Sequence, residues 1–246
     1  MLVLAAPLIA LVCALPTLTW LNSDQANEAW RALELSVSSS AITLATLIIL
    51  GTPLAWWLAH GQTKITRIFT VVIMTPILLP PSIVGLTLLE MCSREGWLAD
   101  LIPSVTSIPF SYVAVIIAQV VVSAPLYVLG AASTFRQRSP ELVEVARCLG
   151  ATPVQAWRDV TLPLVLPGLA VALSLAGARS LGEFGATLLL AGNLSGHTQT
   201  APLAIYLELE RGTAGALAIS LGLLLYALPL LGGLAYMGRK TREHHS

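Results

Sequence analysis

Charge is what this sequence has least of. Asp, Glu, Lys and Arg make up 11% of the residues, where an average soluble domain carries about 25%. Thirteen basic and thirteen acidic side chains cancel to a net charge of zero, so no basic excess remains to hold nucleic acid. Cysteine is scarce as well. Cys13, Cys92 and Cys148 stand far apart with no CxxC pair, which supports neither a disulfide framework nor a zinc site. HExxH is absent, and His60, His197, His244 and His245 all lie at or beyond the edges of the apolar runs. Neither a metal site nor the buried catalytic groups of an intramembrane protease are expected. GxxxxGK[ST] is missing too, so no P-loop holds ATP phosphates and the chain is not expected to be an enzyme.

What is abundant is apolar length. Hydrophobic residues make up 56% of the 246 residues. A membrane span needs about 20 of them in sequence. Six runs qualify, at 2–21, 35–59, 69–91, 112–135, 164–190 and 214–237. The expectation is an all-α polytopic membrane protein with six transmembrane helices, a single permease-like domain over 1–246. The first run lacks the basic n-region of a cleaved signal peptide and is expected to remain as a span. An even number of spans places both termini on one side. If that side is cytoplasmic, Lys64, Arg67, Arg136, Arg138, Arg147, Arg158, Arg239, Lys240 and Arg242 lie inside and only Arg31, Arg94 and Arg211 outside. Positive charge favours the cytoplasmic side, so this orientation follows.

Proline and small residues punctuate the runs. Thr75-Pro-Ile-Leu-Leu-Pro-Pro-Ser82 argues against a straight third helix, because each proline removes a backbone donor. Ser174, Ala178, Gly182 and Ala186 recur every four residues in the fifth run, and Ala214, Ala218 and Gly222 in the sixth. Such stripes allow close helix approach and imply no chemistry.

The polar loop 136–163 is the longest inside segment between spans. Ser139-Pro140-Glu141 reads as a helix start. Leu142, Val145, Ala146 and Leu149 then share one face. Gly150 stands where a left-handed C-cap is wanted. Thr152-Pro-Val-Gln155 is a capping box that opens a second short helix, expected to stop before Leu162-Pro163. Periodicity alone fits two readings equally: an elbow packed under the bundle, or a surface for a soluble partner. The fifth run carries Arg179 near its middle and Glu183 four residues on. Charges at that depth are costly, about 2.5–3.5 kcal/mol on insertion scales. They read either as a structural ion pair or as a pair at a translocation path or gate, with Ser180 beside them as a hydrogen-bond donor to a passing anion.

The separations within the loop carry a resemblance. Glu144-Val-Ala146, Gly150 and Val160-Thr-Leu162-Pro163 resemble the EAA loop of ABC importer permeases, with Val145 where that family has alanine. The resemblance implies a type I importer permease fold. In it the two-helix cytoplasmic loop docks in a separate ATPase subunit through Glu144, Ala146, Gly150, Leu162 and Pro163. Ala178-Arg-Ser-Leu-Gly-Glu-Phe-Gly-Ala-Thr187, Leu79-Pro-Pro-Ser-Ile-Val-Gly85 and Thr200-Ala-Pro-Leu-Ala-Ile-Tyr206 are similar to segments of molybdate permeases, and sulfate permeases carry related residues. That likeness implies a second copy of this chain and two ATP-binding subunits, which hold ATP and Mg. It also implies a periplasmic or lipid-anchored molybdate-binding protein, docked on loops 92–111 and 191–213 near Glu95, Asp100, Glu208 and Glu210. The chain itself would carry no cofactor. It would lie in a prokaryotic cytoplasmic membrane among lipid, with both termini cytoplasmic. Tungstate and sulfate or thiosulfate remain open as substrates. So does a proton-coupled secondary transporter, in which Arg179 and Glu183 would form a relay.

Overall fold

The computed structural model describes residues 23–137 and 140–243, with the isolated positions Ala6 and Leu11. The expected first span at 2–21, Arg138, the expected cap Ser139, and the histidines 244 and 245 lie outside the described residues. Every regular element among the described residues is helical. Helix α1 (Ser23–Thr46) continues through a π turn at Leu47–Gly51 into α2 (Thr52–His60). Helix α3 (Lys64–Leu78) and α4 (Pro81–Cys92) follow, then the short α5 (Trp97–Leu101) and a 3-10 turn at Pro103–Ser107. Helix α6 (Tyr112–Gln137) leads to the loop helices α7 (Pro140–Cys148) and α8 (Pro153–Ala156). A second π turn, Trp157–Thr161, opens α9 (Leu162–Leu181), and α10 (Gly185–Ala191), α11 (Ala201–Arg211) and α12 (Thr213–Glu243) complete the chain.

Among the described residues three stretches are long and apolar enough to span a bilayer: Ala26–His60, Tyr112–Gln137 and Pro153–Leu181. The bent pair Lys64–Leu78 and Pro81–Leu101 makes a fourth if taken as one span. Its two halves meet at 115°, as the Pro80-Pro81 pair requires. Neither proline donates, and Pro80 adopts an extended ψ of 135°.

Two expectations are corrected here. The fifth run is not one helix to residue 190: α9 ends at Leu181, and α10 restarts at Gly185. Arg179 therefore sits in the last turn of a helix, and the small-residue stripe is split, with Ala186 on the next element. Nor does the second loop helix stop before Leu162-Pro163. It runs through the π turn into α9, so that Pro153–Leu181 is one continuous rod. Pro163 cannot donate to the carbonyl four residues back. The ladder passes it by widening: Leu162 N–H bonds to the carbonyl of Trp157, five residues back. The π turn Leu47–Gly51 lies just ahead of Pro53, where the same loss of a donor occurs.

Alanine and glycine bring the helices together. Ala55, Ala131, Ala132, Ala172 and Ala176 lie in one buried cluster with Leu58, Tyr127 and Phe135. A methyl added at Gly130 would fall 2.8 Å from the Cβ of Ala172, where α6 crosses α9, and one at Gly222 would fall 2.6 Å from Leu33, where α12 crosses α1. A polar seam runs through the same interior. Thr43 Oγ1 donates to Gln119 Oε1 at 3.0 Å and Gln119 Nε2 donates to Ser39 Oγ at 3.1 Å. These hydrogen bonds tie α1 to α6 where hydrophobic contrast with lipid is absent.

A close backbone crossing joins the two broken spans. A methyl on Gly85 would lie 2.6 Å from the carbonyl oxygen of Ala186. Gly85→Leu is expected to destabilise the protein by about 1–3 kcal/mol or more through overpacking, read as a lowered melting temperature in detergent. An unchanged melting temperature would show that α4 and α10 do not cross at this distance.

Candidate functional site

The breaks in the two interrupted spans meet. Helix α4 begins at Pro81 and α10 at Gly185, and a methyl on Gly185 would approach the backbone nitrogen of Ser82 to 3.0 Å. Between them opens a cleft of about 420 Å³ whose wall includes Pro81, Ser82, Arg179, Gly182, Glu183 and Phe184. Irregular backbone at membrane depth is tolerated where it lines a cavity. Helix starts carry partial positive charge, and Arg179 adds a full one.

Glu183 is 1% exposed and Arg179 30%. Glu183 Oε1 accepts a hydrogen bond from the Ala186 N–H at 2.7 Å. Its Oε2 lies 2.7 Å from Arg179 Nη2 as an ion contact, without the alignment of a hydrogen bond. The carboxylate thus joins the last turn of α9 to the first turn of α10 across Gly182, and satisfies a helix-start donor. The pair expected from the i,i+4 spacing does form, but across a break rather than along a helix. Ser180 is placed differently from the expectation. It is buried, its Oγ bonds to Ser40 Oγ at 3.1 Å and to the Gly177 carbonyl at 3.0 Å, and it is not part of the cleft wall. Ser82 and Phe184 line the cleft instead. The sequence signals that mark them are the Pro80-Pro81 pair ahead of Ser82 and the two glycines flanking residues 183–184.

The loop helices form the second region. Gly150 has φ +93°. Ala151 N–H bonds to the Ala146 carbonyl and Gly150 N–H to that of Arg147, both at 3.0 Å, the paired bonds of a Schellman cap. Thr152 Oγ1 accepts from Gln155 N–H at 3.3 Å, and Thr152 N–H donates to Gln155 Oε1 at 2.8 Å, so the capping box is present. The apolar face of α7 is uncovered. Leu142 and Val145 are exposed, and Leu149 is 84% exposed, so the face does not pack under the bundle. Glu144 and Gly150 are exposed, Ala146 and Leu162 are half-buried, and Pro163 is exposed.

Opposite, the loop 191–213 holds α11 rather than an open chain. Glu208 is buried there and bonded to Arg211 at 3.0 Å, while Arg211 also reaches Glu28 at 3.2 Å. The hydrogen bond and charge of Glu208, with the charge of Glu28, hold the Arg211 guanidinium above its ordinary range. Glu208 is therefore not free to dock a partner, whereas Glu95, Asp100 and Glu210 are exposed. Among the described residues no cluster of His, Cys, Asp and Glu could hold a metal.

Residues 51–243 match the family model of the binding-protein-dependent transport system inner membrane component. The molybdenum transport system permease protein ModB of Mycobacterium tuberculosis is 41% identical over 203 residues, covering 82% of this chain and 77% of that protein. ModB of Escherichia coli K12 is 33% identical over 218 residues, covering 86% of this chain and 95% of that protein. Among solved structures, a chain of the MetNI methionine ABC transporter in an inward-facing conformation superposes with a TM-score of 0.67 at 18% identity, covering 89% of this chain and 99% of that one. A chain of a bacterial alginate importer gives 0.66 at 19% identity, covering 98% and 90%. At these identities the structural likeness bears on the fold alone.

The asymmetry of the ion pair gives an ordering. Arg179→Ala strands a buried carboxylate and is expected to cost about 3 kcal/mol. Glu183→Ala strands an arginine that already reaches the cleft and should cost less. Denaturant unfolding of the two purified variants tests the order, and the reverse order would mean that Arg179, not Glu183, is the buried partner.

Proposed function

Since this chain belongs to the family of binding-protein-dependent transport system inner membrane components, we propose that it is the membrane permease of an ATP-driven importer of molybdate. The observation that carries the reading is the Arg179 guanidinium in a cleft between two broken spans. A tetrahedral dianion needs positive potential along its path, and contacts weak enough to release it. One partly neutralised arginine with two helix starts supplies that without a trap. The names of the relatives agree on molybdenum. Tungstate and sulfate share the charge and shape of molybdate, so the binding protein is the expected seat of selectivity.

Two copies of the chain, two ATPase subunits and a binding protein on the outer face complete the proposed transporter. ATP and Mg belong to the ATPase. The exposed apolar face of α7, with Glu144, Ala146 and Gly150, is the proposed docking element. Leu162 and Pro163 stand where the docking element passes into the span. The rod Pro153–Leu181 has 29 residues, roughly 43 Å at 1.5 Å per residue. It carries the capping box at one end and Arg179 at the other. A displacement imposed on the elbow by ATPase closure is therefore delivered to the cleft as a rigid-body shift of one helix. A proton relay needs none of this, and Glu183 faces Arg179 and a backbone amide rather than a chain of proton carriers.

The test is uptake into proteoliposomes holding this chain with its ATPase and binding protein, using molybdate, tungstate and sulfate. Glu144→Arg is expected to lower ATP-driven molybdate uptake about tenfold or more, equivalent to a docking contact of about 1.4 kcal/mol. Gly150→Val should act likewise, since an L-residue in the left-handed region costs roughly 1–2 kcal/mol. Preference for sulfate would overturn the substrate. Gradient-driven uptake without ATP, indifferent to both variants, would overturn the importer.

A further inference from the structure

Between the end of α2, the start of α3 and the last turn of α6 lies a pocket of about 510 Å³, whose wall includes Gly61, Gln62, Thr66, Arg67, Thr70 and Arg136. No carboxylate lines it. Arg136 Nη2 donates to the Leu58 carbonyl at 3.0 Å, which fixes that guanidinium and leaves its other N–H groups available. Arg67 makes no ion pair among the described residues and is exposed. The two threonine hydroxyls are already committed as donors: Thr66 Oγ1 to the Thr63 carbonyl and Thr70 Oγ1 to the Thr66 carbonyl, both at 2.8 Å. What remains on offer is guanidinium and amide N–H with a net positive charge, the complement of an acceptor-rich anion.

The surroundings decide which anion. Arg67, Thr70, Met74 and Ile77 follow one another at spacings of three, four and three, along one stripe of α3. Met74 is 44% exposed and Ile77 50%. The stripe is cationic and polar where the helix begins and apolar one to three turns further along. A free oxyanion would match only the first part. An amphiphile with an anionic head and an acyl chain matches both. The pocket also lies at the elbow end of the bundle, since Arg136 is in the last turn of α6, four residues before α7 begins. That is the end where the basic residues gather, and the cytoplasmic leaflet is the one that draws basic clusters to its anionic lipids.

We propose that this pocket binds an anionic phospholipid of the cytoplasmic leaflet, its phosphate at Arg67 and Arg136 and an acyl chain along Met74 and Ile77. The site needs only that the chain lies in a membrane with its elbow inside. It does not depend on which anion is transported. A bound lipid there braces the turn between α2 and α3 against α6, next to the elbow.

Native mass spectrometry of the full-length chain in detergent, offered equal phosphatidylglycerol and phosphatidylcholine, tests the site. Phosphatidylglycerol is expected to be retained in preference. Arg67→Gln should lower its retention about fivefold, the weight of one basic residue near a lipid headgroup, and Arg67→Lys should keep most of it. Thr70→Asp, which puts a carboxylate in the pocket and leaves both arginines in place, should give a similar loss. Arg158→Gln, a change of exposed charge on the elbow side but outside the pocket, should have no effect. Retention unaffected by both pocket variants, or equal retention of the two lipids, would overturn the proposal. Displacement of the lipid by millimolar inorganic phosphate or molybdate would overturn it too, and would make the pocket a site for free oxyanions.

Discussion

The Glu183 carboxylate carries more of this structure than any other single group. It is buried at membrane depth, where an unpaired charge is very costly, and it has two partners at 2.7 Å: Arg179 at the end of one helix and the Ala186 amide at the start of the next. A break in a span exposes backbone donors that lipid cannot satisfy. Glu183 satisfies one of them and partly neutralises the arginine that would otherwise stand alone. With the break held, Gly185 can lie against Ser82 and Ala186 against Gly85. The second broken span then seals the other side of the cleft. The carboxylate thus links the cleft wall to the crossing through its two contacts.

The other break in regularity has the opposite effect. At Leu162-Pro163 the chain loses a donor, yet the helix continues, because the turn ahead widens to a π pattern. A kink is absorbed at the membrane edge and a rod is preserved from the elbow to Arg179. The prolines at these two kinds of break thus differ in outcome, while Pro76, Pro125, Pro167 and Pro229 lie inside helices with no π turn directly ahead of them. Pro80-Pro81 in tandem bend the pair Lys64–Leu78 and Pro81–Leu101 by 115°, while single prolines at 53 and 163 follow π turns and pass within helices. The difference lies in whether a neighbouring carbonyl can find another donor one residue further on.

Small residues and buried hydroxyls hold the rest. In lipid there is little to gain from burying one apolar side chain against another, so close backbone approach and interhelical hydrogen bonds replace the usual hydrophobic core. Alanine dominates the buried positions, and Thr43, Gln119 and Ser39 link α1 to α6. Large apolar side chains are left on the outside. This pattern suits a surface that meets lipid, and the second copy and ATPase proposed above.

By itself the sequence determined the class of molecule. Scarce charge and long apolar runs specify membrane helices. Lys and Arg counts give an expected orientation, and the elbow with its Gly150 cap is written in local signals that need no tertiary context. The bend at Pro80-Pro81 was legible for the same reason, since a missing donor is a property of the residue. Only the tertiary structure decided where the fifth span breaks, that Ser180 turns to Ser40, that Glu208 is taken by Arg211, and that the elbow helix runs on past Pro163. Each of these depends on a partner distant in the chain or on a choice between competing hydrogen bonds. The apolar run 164–190 is equally compatible with one helix or two. Two are found, with the Glu183 carboxylate bonded to the start of the helix whose Gly185 and Ala186 pack against α4.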